Sequence, residues 1–329
     1  MPFRFVAGIV LSAILISSAA AAKKNNPMLK DKYVTVNGVK LHYVTAGKGP
    51  LILFLHGFPE FWYEWKNQLV EFGKDHQAVA PDMRGYNLSD KPSDLDQYKI
   101  AVLVEDIRAL ADHLSHKKKF VLVAHDWGGA VAWSFAIAHP DYLSKLVIIN
   151  APHPGVFARL LTSDPAQQKA SQYMLMFRSD KAEAMLSANN YAGLVAGVLG
   201  EGLKTGAFTE ADKEAYIKAW SEPGALTGGL NYYRANRVGP PPPKKEGEAA
   251  PAMTSTGNFA IDPKALMVKV PTLVIWGEKD TALLTQNLDG LDQFVPELQI
   301  KRIPDGTHWV IHEKPDEVDG YIREFIAGR

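Results

Sequence analysis

The segment VAHDWGG at 123–129 places an acidic side chain where chemistry is readily built. Residues 120–124 form a continuous apolar run, suited to a strand buried on both faces. Gly128 and Gly129 let a helix begin close behind it. A sharp strand-to-helix turn of this kind is the layout of a nucleophile elbow, and the residue at its tip is Asp126. The G-x-S-x-G pattern is altered twice: Ala124 stands for the first Gly and Asp126 for Ser. Taken alone, Asp126 also reads as an ordinary helix N-cap.

Three further positions follow expected strands in the same way. HGFP at 56–59 follows 51–55, and the backbone N–H groups of Phe58 and Trp127 then form a two-donor oxyanion hole. Asp280 lies just beyond the run 272–276, and His308 lies in GTHW at 306–309, beyond 298–303. A carboxylate at Asp280 holds the imidazole tautomer that leaves the other ring nitrogen free to act as a base. Singly, each reads equally as a strand-ending turn, a turn Asp or a structural His. Together they follow strands in the order nucleophile, acid, base. Open α/β sheets place their sites at that strand edge.

A carboxylate nucleophile narrows the reaction. Attack on a carbonyl would give an anhydride, whereas attack on a saturated carbon gives an alkyl ester. Water activated by His308 then cleaves that ester at the carboxylate's own carbon. The expected substrate is a small molecule with an electrophilic sp3 carbon and a leaving group, with water as co-substrate. Epoxides and organohalides are the two classes.

The elements that must position these residues alternate. Strands are expected at 33–36 and 40–46, joined by an Asn37-Gly38 hairpin turn. Strands at 51–55, around Val79, at 120–124 and at 146–149 alternate with helical spacing over 100–114. This rhythm predicts an α/β fold, a mostly parallel sheet flanked by helices. It stops between 152 and 262, where helix-like segments such as 167–178 and 210–220 replace buried strands. It resumes at 272–276 and 298–303, and an amphipathic helix over 315–326 ends the chain. The expected organisation is a core over 23–151 and 263–329, interrupted by a helical cap at 152–262. GPPPP at 239–243 and the polar residues after it read as a stiff connector within that insertion.

Composition sets the outer limits. The 329 residues are 47% hydrophobic, enough for a large core, and the formal net charge is zero, which gives no reason to expect nucleic acid as a partner. There are no cysteines, so disulfides and thiolate metal sites are excluded. The histidines lack metal-ligand spacing, and neither a metal nor a cofactor is expected. Arg4, the apolar residues 5–16 and the small residues 17–22 read as an export signal cleaved before Lys23. The expected protein is therefore periplasmic or secreted, without a membrane anchor after cleavage.

HGFPE at 56–60 with Trp62 and Trp65, DMRGY at 82–86 with Ser89, HDWG at 125–128, 277–280 and 306–309 together resemble the α/β-hydrolase superfamily. Within it, the epoxide hydrolase and haloalkane dehalogenase branch is the most similar, and epoxide hydrolases above all. The resemblance covers nearly all of 23–329. It implies the α/β-hydrolase fold with an inserted helical cap, and it implies Asp126, His308 and Asp280 as the catalytic set. It also implies that two cap tyrosines, Tyr173 and Tyr233, donate hydrogen bonds to an epoxide oxygen. Tyr232 is the alternative to Tyr233 should the register differ. His56, Pro59 and Trp127 are expected to line the substrate pocket. A dehalogenase using the same nucleophile is the alternative. Against it, many haloalkane dehalogenases carry Asn where this chain has Phe58, and haloacid enzymes carry Arg where it has Trp127. A hydrolase-fold binding protein without catalysis ranks below both.

Overall fold

The computed structural model describes residues 29–241 and 263–328. The expected export signal and most of the Pro-rich connector lie outside the described residues. Eight strands form one sheet: β1 (Lys30–Val36), β2 (Val39–Ala46), β3 (Leu51–Leu55), β4 (Gln77–Pro81), β5 (Phe120–His125), β6 (Leu143–Ile149), β7 (Thr272–Gly277) and β8 (Leu298–Ile303). Their spatial order is β1-β2-β4-β3-β5-β6-β7-β8. The β1–β2 and β2–β4 pairs are antiparallel and the rest are parallel. Asn37 and Gly38 both take positive φ, 46° and 77°, so the β1–β2 hairpin has the tight turn its sequence predicts.

The apolar runs hide a period of two. Leu53 and Leu55 of β3, Leu122 and Ala124 of β5, and Leu146 and Ile148 of β6 feed one core. Ile52, Phe54, Val121, Val123, Val147 and Ile149 feed the other. Both faces of the sheet are therefore covered, which is why these strands show no polar alternation. The covering helices are α1 (Lys66–Phe72), α2 (Ile100–Ser115) and α3 (Asp126–Ala138) early in the chain.

Between β6 and β7 the described chain is helical: α4 (Pro154–Ser163), α5 (Pro165–Ala170), α6 (Tyr173–Phe177), α7 (Ala182–Leu194), α8 (Gly200–Thr205), α9 (Glu210–Ser221) and α10 (Ala225–Asn236). Short α11 (Val310–Glu313) and amphipathic α12 (Pro315–Ile326) follow β8. The single helix expected over 167–178 is instead α5 and α6 with a break between them. Fully buried Gln167 gives its amide N–H groups to the Ser171 hydroxyl and the Ala282 carbonyl, both at 2.8 Å, and accepts from Leu284 N–H. These bonds anchor the segment to the loop after β7, and the chain turns there. Among the described residues no helix is long and apolar enough to cross a membrane.

Candidate active site

The turn from β5 into α3 is tight. Asp126 takes φ 47°, a left-handed conformation that a non-glycine residue seldom adopts. It lifts the carboxylate toward the strand ends. Neighbouring glycines make the room. A Cβ on Gly128 would lie 2.3 Å from the Leu55 carbonyl oxygen, and one on Gly57 would lie 2.4 Å from the Cβ of Asp126. Phe58 N–H donates to Asp126 Oδ1 at 2.8 Å, and Trp127 N–H also donates to this carboxylate. The two expected oxyanion donors thus already hold the Asp126 carboxyl group.

The ends of β7 and β8 bring the partners. His308 Nδ1 lies 2.7 Å from Asp280 Oδ2, and its Nε2 faces Asp126 Oδ2 at 3.7 Å. Asp280 Oδ1 accepts from the N–H groups of Ala282 and Leu283, and Oδ2 accepts from Asn150 Nδ2 at 2.8 Å. Burial opposes the Asp280 charge, but the His308 imidazole and these donors outweigh it and hold the carboxyl below its usual range. Burial also opposes a charged His308. The Asp280 charge, its hydrogen bond and the Asp126 charge outweigh that and raise His308 to about 9. Asp126 is pushed up by burial, against the His308 charge and the two backbone donors.

Tyr173 and Tyr233 are brought together above this carboxylate. Phe177 packs against both rings at 5.1 Å, and the Asp126 charge reaches both hydroxyls. Burial, then that charge among others, keeps both hydroxyls protonated well above the usual tyrosine range. Tyr233 packs edge-on against Trp127, Phe58 and Phe177, at 5.0, 5.5 and 5.1 Å between ring centres. Tyr232 is excluded as the alternative, because its hydroxyl donates to the Arg84 carbonyl at 2.8 Å. Pro59 lines a cleft barely large enough for water with Phe58, Phe61, Tyr86 and Trp220. His56 does not fit the pocket role expected of it. Its ring is fully buried, Nδ1 donating to the Gly57 carbonyl and Nε2 accepting from Met83 N–H. Both nitrogens serve the loop backbone and none remains for a substrate.

The sequence pattern of the α/β hydrolase fold matches residues 50–315. The epoxide hydrolase 4 of Mus musculus is 36% identical over 314 residues, covering 92% of this chain and 81% of that protein. The chain belongs to the α/β hydrolase fold family, on its epoxide hydrolase branch. The AB hydrolase superfamily protein YfhM of Bacillus subtilis (strain 168) is 40% identical over 92% of this chain and 99% of its own. Among solved structures, an inhibitor complex of Bacillus megaterium epoxide hydrolase aligns with TM-score 0.81 at 38% identity, covering 90% of this chain and all of that one.

Residues outside the expected set also meet at the site of this α/β hydrolase. Asn150, directly after β6, has φ 39° and binds Asp280 and the Gly277 backbone together. Its place just past a buried strand was the available signal. Beneath the oxyanion turn lie Glu60, Glu64, His125 and His312, all buried. Glu60 Oε1 accepts from His312 Nε2 at 2.7 Å and from the Tyr216 hydroxyl. Burial opposes its charge, yet His312 and the other partners hold its carboxyl down at about 2. Two acids inside an aromatic run, at 60–65, were the hint that they are interior. Glu60, Glu64 and His125 each offer one ligand atom, all within 4.8 Å of one another, which makes them the metal-like grouping among the described residues.

Proposed function

We propose that this hydrolase opens small epoxides to vicinal diols through an ester on Asp126. A carboxylate oxygen of Asp126 attacks a ring carbon, and the C–O bond of the epoxide breaks as the alkyl ester forms. Tyr173 and Tyr233 donate to the departing oxygen, which takes a proton from one of them. Alkylation removes the Asp126 charge that helped His308 keep its proton. His308 releases that proton, which returns to the tyrosine, and is then neutral and oriented by Asp280. It takes a proton from water as that water attacks the Asp126 carbonyl carbon. Phe58 and Trp127 N–H groups stabilise the resulting oxyanion. Its collapse breaks the bond to the alkyl oxygen, which takes the second proton of the attacking water. This frees the diol and leaves Asp126 a carboxylate and His308 protonated as at the start.

The observation that carries this reading is the packing of Tyr233 edge-on against Trp127 and Phe58, the residues that flank Asp126 in the site, with Tyr173 beside it across Phe177. An epoxide oxygen departs as an alkoxide and needs hydroxyl donors such as these, while a halide does not. The resemblance to epoxide hydrolases supports the same substrate class. The test is intact-protein mass spectrometry of His308→Gln mixed separately with epoxides and with organohalides. The expected result is an adduct carrying the whole epoxide mass. An adduct from halides alone, lacking the halogen, would replace this reading with dehalogenation.

A further inference from the structure

The side chain of Asn150 continues a ladder that the backbone of β6 breaks off. The β6–β7 pairing ends at Ile149 and Ile275, and a φ of 39° turns the chain away at Asn150. Its amide takes over from there. Gly277 N–H donates to Asn150 Oδ1 at 2.8 Å, and Asn150 Nδ2 donates back to the Gly277 carbonyl at 3.2 Å. This exchange fixes which amide atom is which, because the reverse assignment would set N–H against N–H. Nδ2 thus also donates to Asp280 Oδ2, 2.8 Å away. The same oxygen lies 2.7 Å from His308 Nδ1. Asp280 Oδ1 is occupied by the N–H groups of Ala282 and Leu283. We propose that Asn150 is a positioning residue for ester hydrolysis, sharing Asp280 Oδ2 with His308 and so holding the carboxylate in line with Nδ1 of the base.

The surroundings agree. Asn150 is fully buried and Asp280 nearly so, so a lost partner is not replaced by bulk water. Among the described residues, Asn150 and His308 alone give a hydrogen to Oδ2. A Cβ on Gly277 would lie 2.3 Å from the Thr307 carbonyl oxygen, so the loop that carries His308 rests on the same residue that Asn150 grips. The loops of acid and base are therefore both referred to the end of β6. The remaining titratable neighbours sit elsewhere. Asp126 faces His308 Nε2, the His125 ring centre lies 4.6 Å from that of His308, and Glu60 reaches His308 from the loop after β3. Tyr173 of α6 faces Asp280 from the cap. An amide suits the place because it donates without adding charge. An aspartate there would set two carboxylates about as close as the present 2.8 Å contact, where both cannot ionise.

The effect on turnover rests on the epoxide reading above, but the sharing of Oδ2 does not. Proton NMR of substrate-free wild-type protein with isotopically labelled asparagine reads the sharing directly. As His308 passes from imidazolium to neutral ring it draws less on Oδ2. The Asn150 bond then tightens, and its amide proton signal is expected to move to lower field. A signal that stays fixed through that titration would overturn the proposal. Single turnovers of Asn150→Gly read the positioning, since glycine takes the positive φ without strain. Ester decay is expected to slow roughly tenfold or more, while ester formation, which depends on Asp126 and the cap tyrosines, changes little. In an Asp280→Ala background the same substitution is expected to cost little more, because its route to His308 is gone. Equal slowing of both steps, or losses that add in full in the double variant, would reduce Asn150 to a part of the scaffold. The NMR arm holds or fails whatever substrate the enzyme takes.

Discussion

At the scale of single residues, the site is a set of protons held against their usual tendencies. His308 keeps its proton to about 9 partly because the Asp126 charge faces it. The ester intermediate lacks that charge, so its His308 should titrate below about 9. The sign is fixed: ester decay needs the neutral imidazole, so its rate should climb with pH and level off. Stopped-flow decay of the intermediate across pH gives the midpoint, and a midpoint at or above that of the free enzyme would refute the coupling. The tyrosines make a second prediction. Tyr173→Phe or Tyr233→Phe should each slow ester formation by roughly a hundredfold or more. Tyr232→Phe should leave that step nearly intact, because its hydroxyl is bound to the Arg84 carbonyl. Equal losses at 232 and 233 would mean the wrong tyrosine faces the substrate. Asp126 and Asp280 were legible in the sequence because each follows a buried run, and His308 because it follows the next expected strand in the order nucleophile, acid, base. Glu64 was not, since nothing in its neighbours states which atom lies opposite it.

At the scale of elements, the instructive case is α10. It carries Tyr233, yet its sequence shows no clear helical stripe, because Gly228 and Gly229 stand where apolar residues would mark a buried face. Those glycines are there for contact. A Cβ on Gly228 would lie 2.2 Å from the Gly85 carbonyl oxygen, and one on Gly229 would lie 2.8 Å from the Phe58 ring. The helix therefore rests backbone to backbone on the core. Gly228→Ala should lift it and cost about 1–3 kcal/mol of stability despite the better helix propensity of Ala. Paired thermal melts and epoxide turnover would check this, and a variant more stable than wild type would show that the contact yields. The core strands were readable for the opposite reason. Four or five apolar residues in a row leave few alternatives, whereas a helix that packs through absent side chains leaves no pattern to read. The break between α5 and α6 was likewise invisible, because it depends on Gln167 meeting a loop more than a hundred residues away.

At the scale of the whole molecule, the sheet order does what no local pattern could. Just beyond the ends of the neighbours β3, β5, β6, β7 and β8 come, respectively, Phe58, Asp126, Asn150, Asp280 and His308. Residues separated by up to 250 positions thereby meet across five adjacent strands. The alternation of strands and helices predicted a parallel sheet, but the swap of β3 and β4 in the order is a tertiary fact. This arrangement also makes the two oxygens of Asp126 unequal: Oδ1 is engaged by Phe58, and Oδ2 looks toward His308. If Oδ2 attacks, it leaves with the diol, and water supplies its replacement. Enzyme cycled in heavy-oxygen water should then gain one isotopic label in the Asp126 peptide, and the first diol released should carry none from solvent. Each molecule of product would take away an atom that belonged to the protein, so the nucleophile is partly rebuilt from solvent on every cycle while its other oxygen never changes hands.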